Sequence, residues 1–216
     1  MTVAVVLVGG EVPERSLLHG VAEADLVIAV DSGVGIARTY GLPVHVLLGD
    51  LDSVSPGDQA WAEAEGASTI EFPTNKDATD LELAIDHAID EGADDIIALG
   101  IEGGRLDHEL GNWAVLCRPR TVRMEIRAAM GVAIPLHGEH HSSIELNGKP
   151  GEIISLLPLL GDACGVTTSG LRWTLDAATV PAGSAWGISN EFAEDVAFVS
   201  VDSGTLLVIR PNAGVS

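Results

Sequence analysis

The first half of the chain alternates short, continuous apolar runs with segments of helical periodicity, and few folds accept that rhythm. The runs are Val3–Val8, Leu26–Val30, His45–Leu48, Ser68–Phe72 and Asp95–Leu99. The clearest helical segments are Leu81–Glu91 and Leu106–Leu116. In the first, Leu81, Ala84, Ile85, Ala88 and Ile89 recur at helical spacing. A strand without polar alternation is buried on both faces, so helices must cover both sides of a mostly parallel sheet. The expectation is a three-layer α/β/α domain over residues 1–130.

From about Val132 the texture changes. Strand-like runs at Ser143–Leu146, Glu152–Leu157, Leu171–Leu175, Val196–Val201 and Leu206–Arg210 are separated by turn residues such as Asn147-Gly148, Ser169-Gly170 and Ser203-Gly204. Short strands at such spacing predict an antiparallel β-sandwich over residues 131–216, with the boundary near 129–136. A chain of 216 residues has room for both.

Composition removes several function classes. A formal net charge of −21 argues against nucleic acid, whose phosphates need clustered Lys and Arg. The same balance suits solubility at high salt, which leaves a halophilic source open. No stretch approaches the roughly 20 apolar residues of a membrane span. The start lacks the basic n-region and cleavage site of a signal peptide, so a soluble cytoplasmic protein without membrane partners is expected. Cys117 and Cys164 are too few for a disulfide framework and read as buried free thiols.

The acids are not scattered. Asp31 follows one apolar run, Asp50 and Asp52 another, and Gly103, Gly104, Arg105 and Asp107 a third; Lys76-Asp77-Ala78-Thr79-Asp80 precedes the Leu81 helix. Ligands of open parallel sheets bind at the carboxyl ends of the strands. Local structure accounts for part of this. Asp31-Ser32-Gly33 fits a turn with a helix cap, Thr79 to Glu82 fits a capping box, and Asp107 suits a helix N-terminus. Asp50 and Asp52 are harder to dismiss: two carboxylates about 4 Å apart repel by roughly 4 kcal/mol at an effective dielectric of about 20. A divalent cation relieves that repulsion, and hard oxygen ligands without Cys point to Mg²⁺ on Asp50, Asp52, Asp80 and Asp107. Lys76 and Arg105 then supply positive charge for phosphate oxygens. There is no G-x-x-x-x-G-K-[ST] segment, which excludes a P-loop, and Gly9-Gly10-Glu11 lacks the dinucleotide spacing. His137, His140 and His141 have no Cys partner and read as a solvated loop rather than a zinc site. His108, next to Asp107, is given no chemical role.

In order and at similar spacing, GDLDS (Gly49–Ser53), KDATDLE (Lys76–Glu82) and GGRLDH (Gly103–His108) resemble thiamine pyrophosphokinases, as do GLRWTL (Gly170–Leu175) and Ser189-Asn190. The resemblance spans nearly the whole chain. It implies transfer of the diphosphoryl group of ATP to the hydroxyl of thiamine, with Mg²⁺, in a homodimer whose subunits share each active site. Asp50, Asp52, Asp80 and Asp107 look like that family's metal and diphosphate cluster. Asp31, Lys76, Asp77, Thr79 and Arg105 look like its nucleotide and phosphate contacts. Trp173, Ser189 and Asn190 look like its thiamine pocket.

Asp31-Ser32-Gly33-Val34-Gly35 departs from that family's usual Asp-Gly-Gly-Ala-Asn, with Gly35 in place of the Asn, and Leu51 replaces the more usual Phe. From the alternation of Leu171, Trp173 and Leu175, a core Trp and a ligand-stacking Trp fit equally; the resemblance favours the second. A diphosphokinase of another alcohol such as a hydroxymethylpterin, and a non-catalytic sensor of nucleotide or thiamine diphosphate, are the rival readings. A merely halophilic acidic surface predicts random placement of the acids.

Overall fold

The computed structural model describes residues 1–75 and 77–211, which leaves Lys76 outside the described residues. The chain divides into two compact units. The first comprises Met1–Val115 and Met124–Ala129; the second comprises Leu116–Arg123 and residues 130–211.

In the first unit, β1 (Val3–Leu7), β2 (Leu26–Val30), β3 (Val46–Gly49), β4 (Ser68–Glu71), β5 (Asp95–Leu99) and β6 (Arg123–Ala128) lie in the order β6-β5-β1-β2-β3-β4. The pairs β1–β2, β1–β5, β2–β3 and β3–β4 are all parallel. Successive side chains on a strand point to opposite faces, and here both faces are covered. Val5, Leu7, Val27, Ala29 and Leu47 join one core cluster with Val34, Ile36 and Ala37 of α1 (Val34–Tyr40) and Ala62 of α2 (Pro56–Ala64). Their strand neighbours Ala4, Val6, Ile28 and Leu48 are equally buried. That second face lies where α3 (Asp80–Asp90) packs on β1, β2 and β3. Leu81 and Ile85 of α3 are buried there, each worth about 2 kcal/mol. The helix α4 (Leu106–Leu116) is different: only Leu116 is buried, while Leu106 and Leu110 are 72% and 61% exposed. Among the described residues no helix is long and apolar enough to cross a membrane.

The second unit is antiparallel throughout its paired strands. One sheet has the order β12-β9-β14-β7, the other β11-β10-β13-β8. The strands are β7 (Gly131–His137), β8 (Ser143–Asn147), β9 (Ile153–Leu157), β10 (Ala163–Ser169), β11 (Ala178–Val180), β12 (Asn190–Glu191), β13 (Val196–Ser200) and β14 (Thr205–Pro211). A single core draws on both sheets, from Leu136, Ile154, Leu156, Leu206 and Val208 of the first to Leu146, Val166, Val180, Ala197 and Val199 of the second. This is the expected sandwich.

Four expectations need correction. Leu171–Leu175 is not a strand: only Leu171 bridges, to Phe192. Gly170 before it and Ala177 after it both take left-handed φ, and Thr168 bonds Leu175 at both backbone and hydroxyl, so the segment loops out. The second is the stretch between Leu116 and Ser143, where no strand is expected and the structure has β6 and β7. The third concerns Cys164, which is only half-buried, whereas burial pushes the Cys117 thiol up to about 12.

The fourth is His137, which is no loop residue. It lies in β7, 3% exposed, with Nδ1 3.0 Å from Thr205 Oγ1. Burial first, then the charges of Arg120, His141 and His140, pushes its pKa down from 6.5 to about 4. The unfolded chain therefore takes up a proton that the folded chain refuses. Stability is unaffected above pH 6.5 and falls as pH drops toward 4, by up to about 3 kcal/mol in all. Thermal melts across this range should show that fall, and His137→Gln should flatten it; an unchanged slope would remove His137 from the account.

Candidate active site

Because β1 to β5 run parallel, the segments that follow them emerge at one edge of the sheet. Backbone hydrogen bonds stitch those segments together. Val8, Gly10 and Glu11 donate to the carbonyls of Leu99, Gly100 and Glu102 at 2.8, 2.8 and 2.7 Å. The Ser32 hydroxyl donates to the Gly9 carbonyl at 3.2 Å. A Cβ at Gly10 would lie 2.1 Å from the Glu102 carbonyl oxygen, so no larger residue fits that seam.

Asp31 sits at the end of β2 with φ of 46°, a conformation rare outside glycine. Its Oδ1 accepts from the Leu51 amide at 3.1 Å. Leu51 itself has φ of 61°. Gly49 is forced by the same contact, since a Cβ there would fall 1.8 Å from Asp31 Oδ1. Asp31 thus shapes the loop that carries Asp50 and Asp52, in which Asp50 Oδ1 accepts from the Asp52 amide at 3.2 Å. Strain held at two adjoining strand ends is the kind that surrounding structure maintains at functional sites.

Asp77 is exposed ahead of α3, and Asp80 is half-buried at the helix start. Thr79 is the N-cap, its hydroxyl accepting from the Glu82 amide at 3.2 Å. Arg105 and Asp107 form a bidentate pair at 3.1 and 2.6 Å. That hydrogen bonding holds the Asp107 carboxyl below, and the Arg105 guanidinium above, their ordinary values. The pair is 72% and 64% exposed, so solvent screening keeps it weak and leaves both groups available to phosphate or cation.

Among the described residues no three His, Cys, Asp or Glu side chains are gathered closely enough to hold a cation. The expected cluster of Asp50, Asp52, Asp80 and Asp107 is therefore not assembled as a cage. The donor set still suits a hard cation, and Mg²⁺ takes only one or two carboxylates, completing its shell with phosphate and water oxygens. At Gly35 a Cβ would meet no heavy atom within 4 Å, so the fold has space there for the side chain this sequence lacks.

In the second unit Trp173 is 53% exposed, which removes the core reading. Arg172 stacks on its ring at 4.7 Å and pairs with Glu191 at 2.8 Å. Ser189 is exposed, at φ of 60°, with its amide bonded to Ser155 Oγ at 3.0 Å. Asn190 is buried, bonded to Trp173 and to the Glu191 amide. No pattern in the sequence marks Asp31 as a loop support, nor Arg172 and Glu191 as a pair, because each of those contacts joins residues about 20 apart.

A family model described as the thiamin pyrophosphokinase catalytic domain matches residues 17–128. A second, described as the thiamin pyrophosphokinase vitamin B1 binding domain, matches residues 139–206. The thiamine pyrophosphokinase of Bacillus subtilis is 30% identical over 191 residues, which cover 87% of this chain and 88% of the relative. Thiamine pyrophosphokinase 1 of rice, Oryza sativa subsp. japonica, is 29% identical over 171 residues, 76% of this chain and 65% of the longer plant protein. The crystal structure of the B. subtilis enzyme superposes with a TM-score of 0.82 at 26% identity, covering 98% of this chain and 99% of that one. Thiamin pyrophosphokinase from Candida albicans, at 14% identity and a TM-score of 0.78 over 98% of this chain and 89% of its own, shares the fold. Matched in both units and over most of its length, the chain belongs to the thiamine pyrophosphokinase family.

Proposed function

We propose that the protein transfers the diphosphoryl group of ATP to the hydroxyl of thiamine, releasing AMP and thiamine diphosphate. The observation that carries this reading is the array of carboxylates and Arg105 at one edge of a parallel sheet, in a chain whose second unit exposes an aromatic face. Residues 1–130 bind nucleotide and phosphate, and residues 131–216 bind thiamine. Phosphoryl-type transfer depends on positioning and charge stabilisation more than on covalent work by the protein. Asp50, Asp52, Asp80 and Asp107 are the carboxylates that would hold Mg²⁺ together with substrate phosphate oxygens, and the bound cation would neutralise charge on the transferring group. Arg105 and Lys76 supply positive charge for phosphate oxygens, and Asp31, Asp77 and Thr79 order the nucleotide end of the site. Asp31 does so through the loop it supports. Trp173 receives the flat cationic thiamine ring, a contact worth roughly 0.5–2 kcal/mol, with Ser189 at the pocket's border.

The same reading makes the protein a cytoplasmic homodimer whose subunits share each active site. The direct test incubates purified protein with ATP, Mg²⁺ and thiamine and follows AMP and thiamine diphosphate. Stoichiometric appearance of both is expected, and no product from the wild type would overturn the proposal.

A further inference from the structure

We infer that Asn190 and Glu191 act on the substrate through Trp173: they form a clamp that fixes this ring with one face covered and the other open. The inference rests on the reading that Trp173 receives the thiamine ring.

Asn190 was expected among the pocket residues, yet its side chain points into the protein's own backbone. Its Oδ1 accepts from the Trp173 amide at 3.1 Å and from the Glu191 amide at 2.8 Å. Its Nδ2 donates to the Trp173 carbonyl at 2.7 Å. An amide oxygen has two lone pairs, so this one has no capacity left for a substrate. The residue is 6% exposed, which keeps its remaining N–H from solvent and ligand alike. Both backbone polar groups of Trp173 are thereby tied to one side chain 17 residues away. Asn190 is in turn held by its pairing with Ile154 in the sheet.

The next residue completes the clamp. Glu191 accepts the Arg172 amide on its carbonyl at 2.9 Å and the Arg172 guanidinium on its carboxylate at 2.8 Å. That pairing holds the guanidinium 4.7 Å from the centre of the Trp173 ring. One face thus carries the guanidinium, and Trp173 is still 53% exposed. Glu191 also offsets a positive charge that would otherwise sit behind the ring and oppose a cationic ligand in front of it. Asn190 and Glu191 are positioning residues in this arrangement.

The test is a double-mutant cycle with a ligand-free readout beside it. Asn190→Ala should raise the thiamine KM about 10-fold, the size of one lost buried hydrogen-bond set, and change the ATP KM less than about 2-fold. In a Trp173→Ala background the same substitution should add nothing, because its only route to the substrate is gone. Multiplying effects would mean a direct contact and would overturn the inference. Should the alanine variant fail to fold, Glu191→Gln provides the same cycle, its effect on the thiamine KM also vanishing in the Trp173→Ala background.

The ligand-free readout is the ¹⁹F spectrum of protein labelled with 5-fluorotryptophan. Asn190→Ala or Glu191→Gln should shift or broaden the Trp173 resonance and leave those of Trp61 and Trp113 in place. An unmoved Trp173 resonance overturns the clamp whatever the kinetics. If Trp173→Ala leaves the thiamine KM unchanged while that resonance does move, the clamp stands and the placement of thiamine on Trp173 fails. Glu191→Gln separates charge from geometry: it should weaken thiamine by more than it weakens a neutral analogue whose thiazolium nitrogen is replaced by carbon. Equal weakening would remove the electrostatic role.

Discussion

Replacing Asp52 by Asn lowers turnover by at least about 10²-fold, the loss expected when a preorganised charge is removed from a site of charge stabilisation. The substitution is isosteric, and the loop bond at this position uses the Asp52 backbone amide, which Asn keeps. The residue lies exposed beyond β3, so the melting temperature should change far less than the turnover. The loss should appear in kcat at saturating ATP, thiamine and Mg²⁺, with the melting temperature as control. Gly49→Ala would also depress activity, but through the clash with Asp31 that its Cβ creates, and it would lower stability as well. The contrast separates a residue that acts by charge from one that acts by leaving space. Unchanged kcat in Asp52→Asn would refute the metal role of this loop.

Much of the first unit was legible because buried parallel strands announce themselves: the runs at Leu26–Val30 and Asp95–Leu99 form β2 and β5 with those bounds. The helix Leu106–Leu116 was likewise given by periodicity. Acids placed directly after such runs must emerge at the sheet's carboxyl edge, so their order in the sequence carried spatial information. What stayed hidden depends on contacts across the fold. Leu171–Leu175 alternates like a strand, yet its neighbours in space are residues 190–192, which draw the backbone away from any ladder. His137 looks polar and loop-like until Thr205 of β14 is found opposite it. Asn190 and Trp173 both appeared as pocket residues, and nothing in their spacing says that one engages the other's backbone. The mutual engagement of Arg105 and Asp107 is local, but two residues of opposite charge near a phosphate-type loop read equally well as two separate ligands.

Mixing Asp52→Asn with Trp173→Ala subunits raises activity above the mean of the two variants, if each site draws on two subunits. The surfaces give the physical reason to expect a partner. Leu106 and Leu110 lie one turn apart on α4 and are 72% and 61% exposed. In the second unit Trp186, Ile188, Leu159 and Leu160 are 60%, 46%, 44% and 47% exposed. Large apolar side chains adjacent on an exposed helix, as Leu106 and Leu110 are, mark surfaces that another molecule covers, and a second copy is the commonest such partner. In a shared arrangement a mixed dimer has one site carrying both substitutions and one carrying neither. Random reassortment makes half the dimers mixed, so about a quarter of wild-type activity returns. The assay is run at thiamine well below its KM, where both parents are weak, and light scattering gives the mass of the mixture. Activity equal to the mean of the parents would mean that each site is built within one chain. A monomeric mass would remove the dimer altogether.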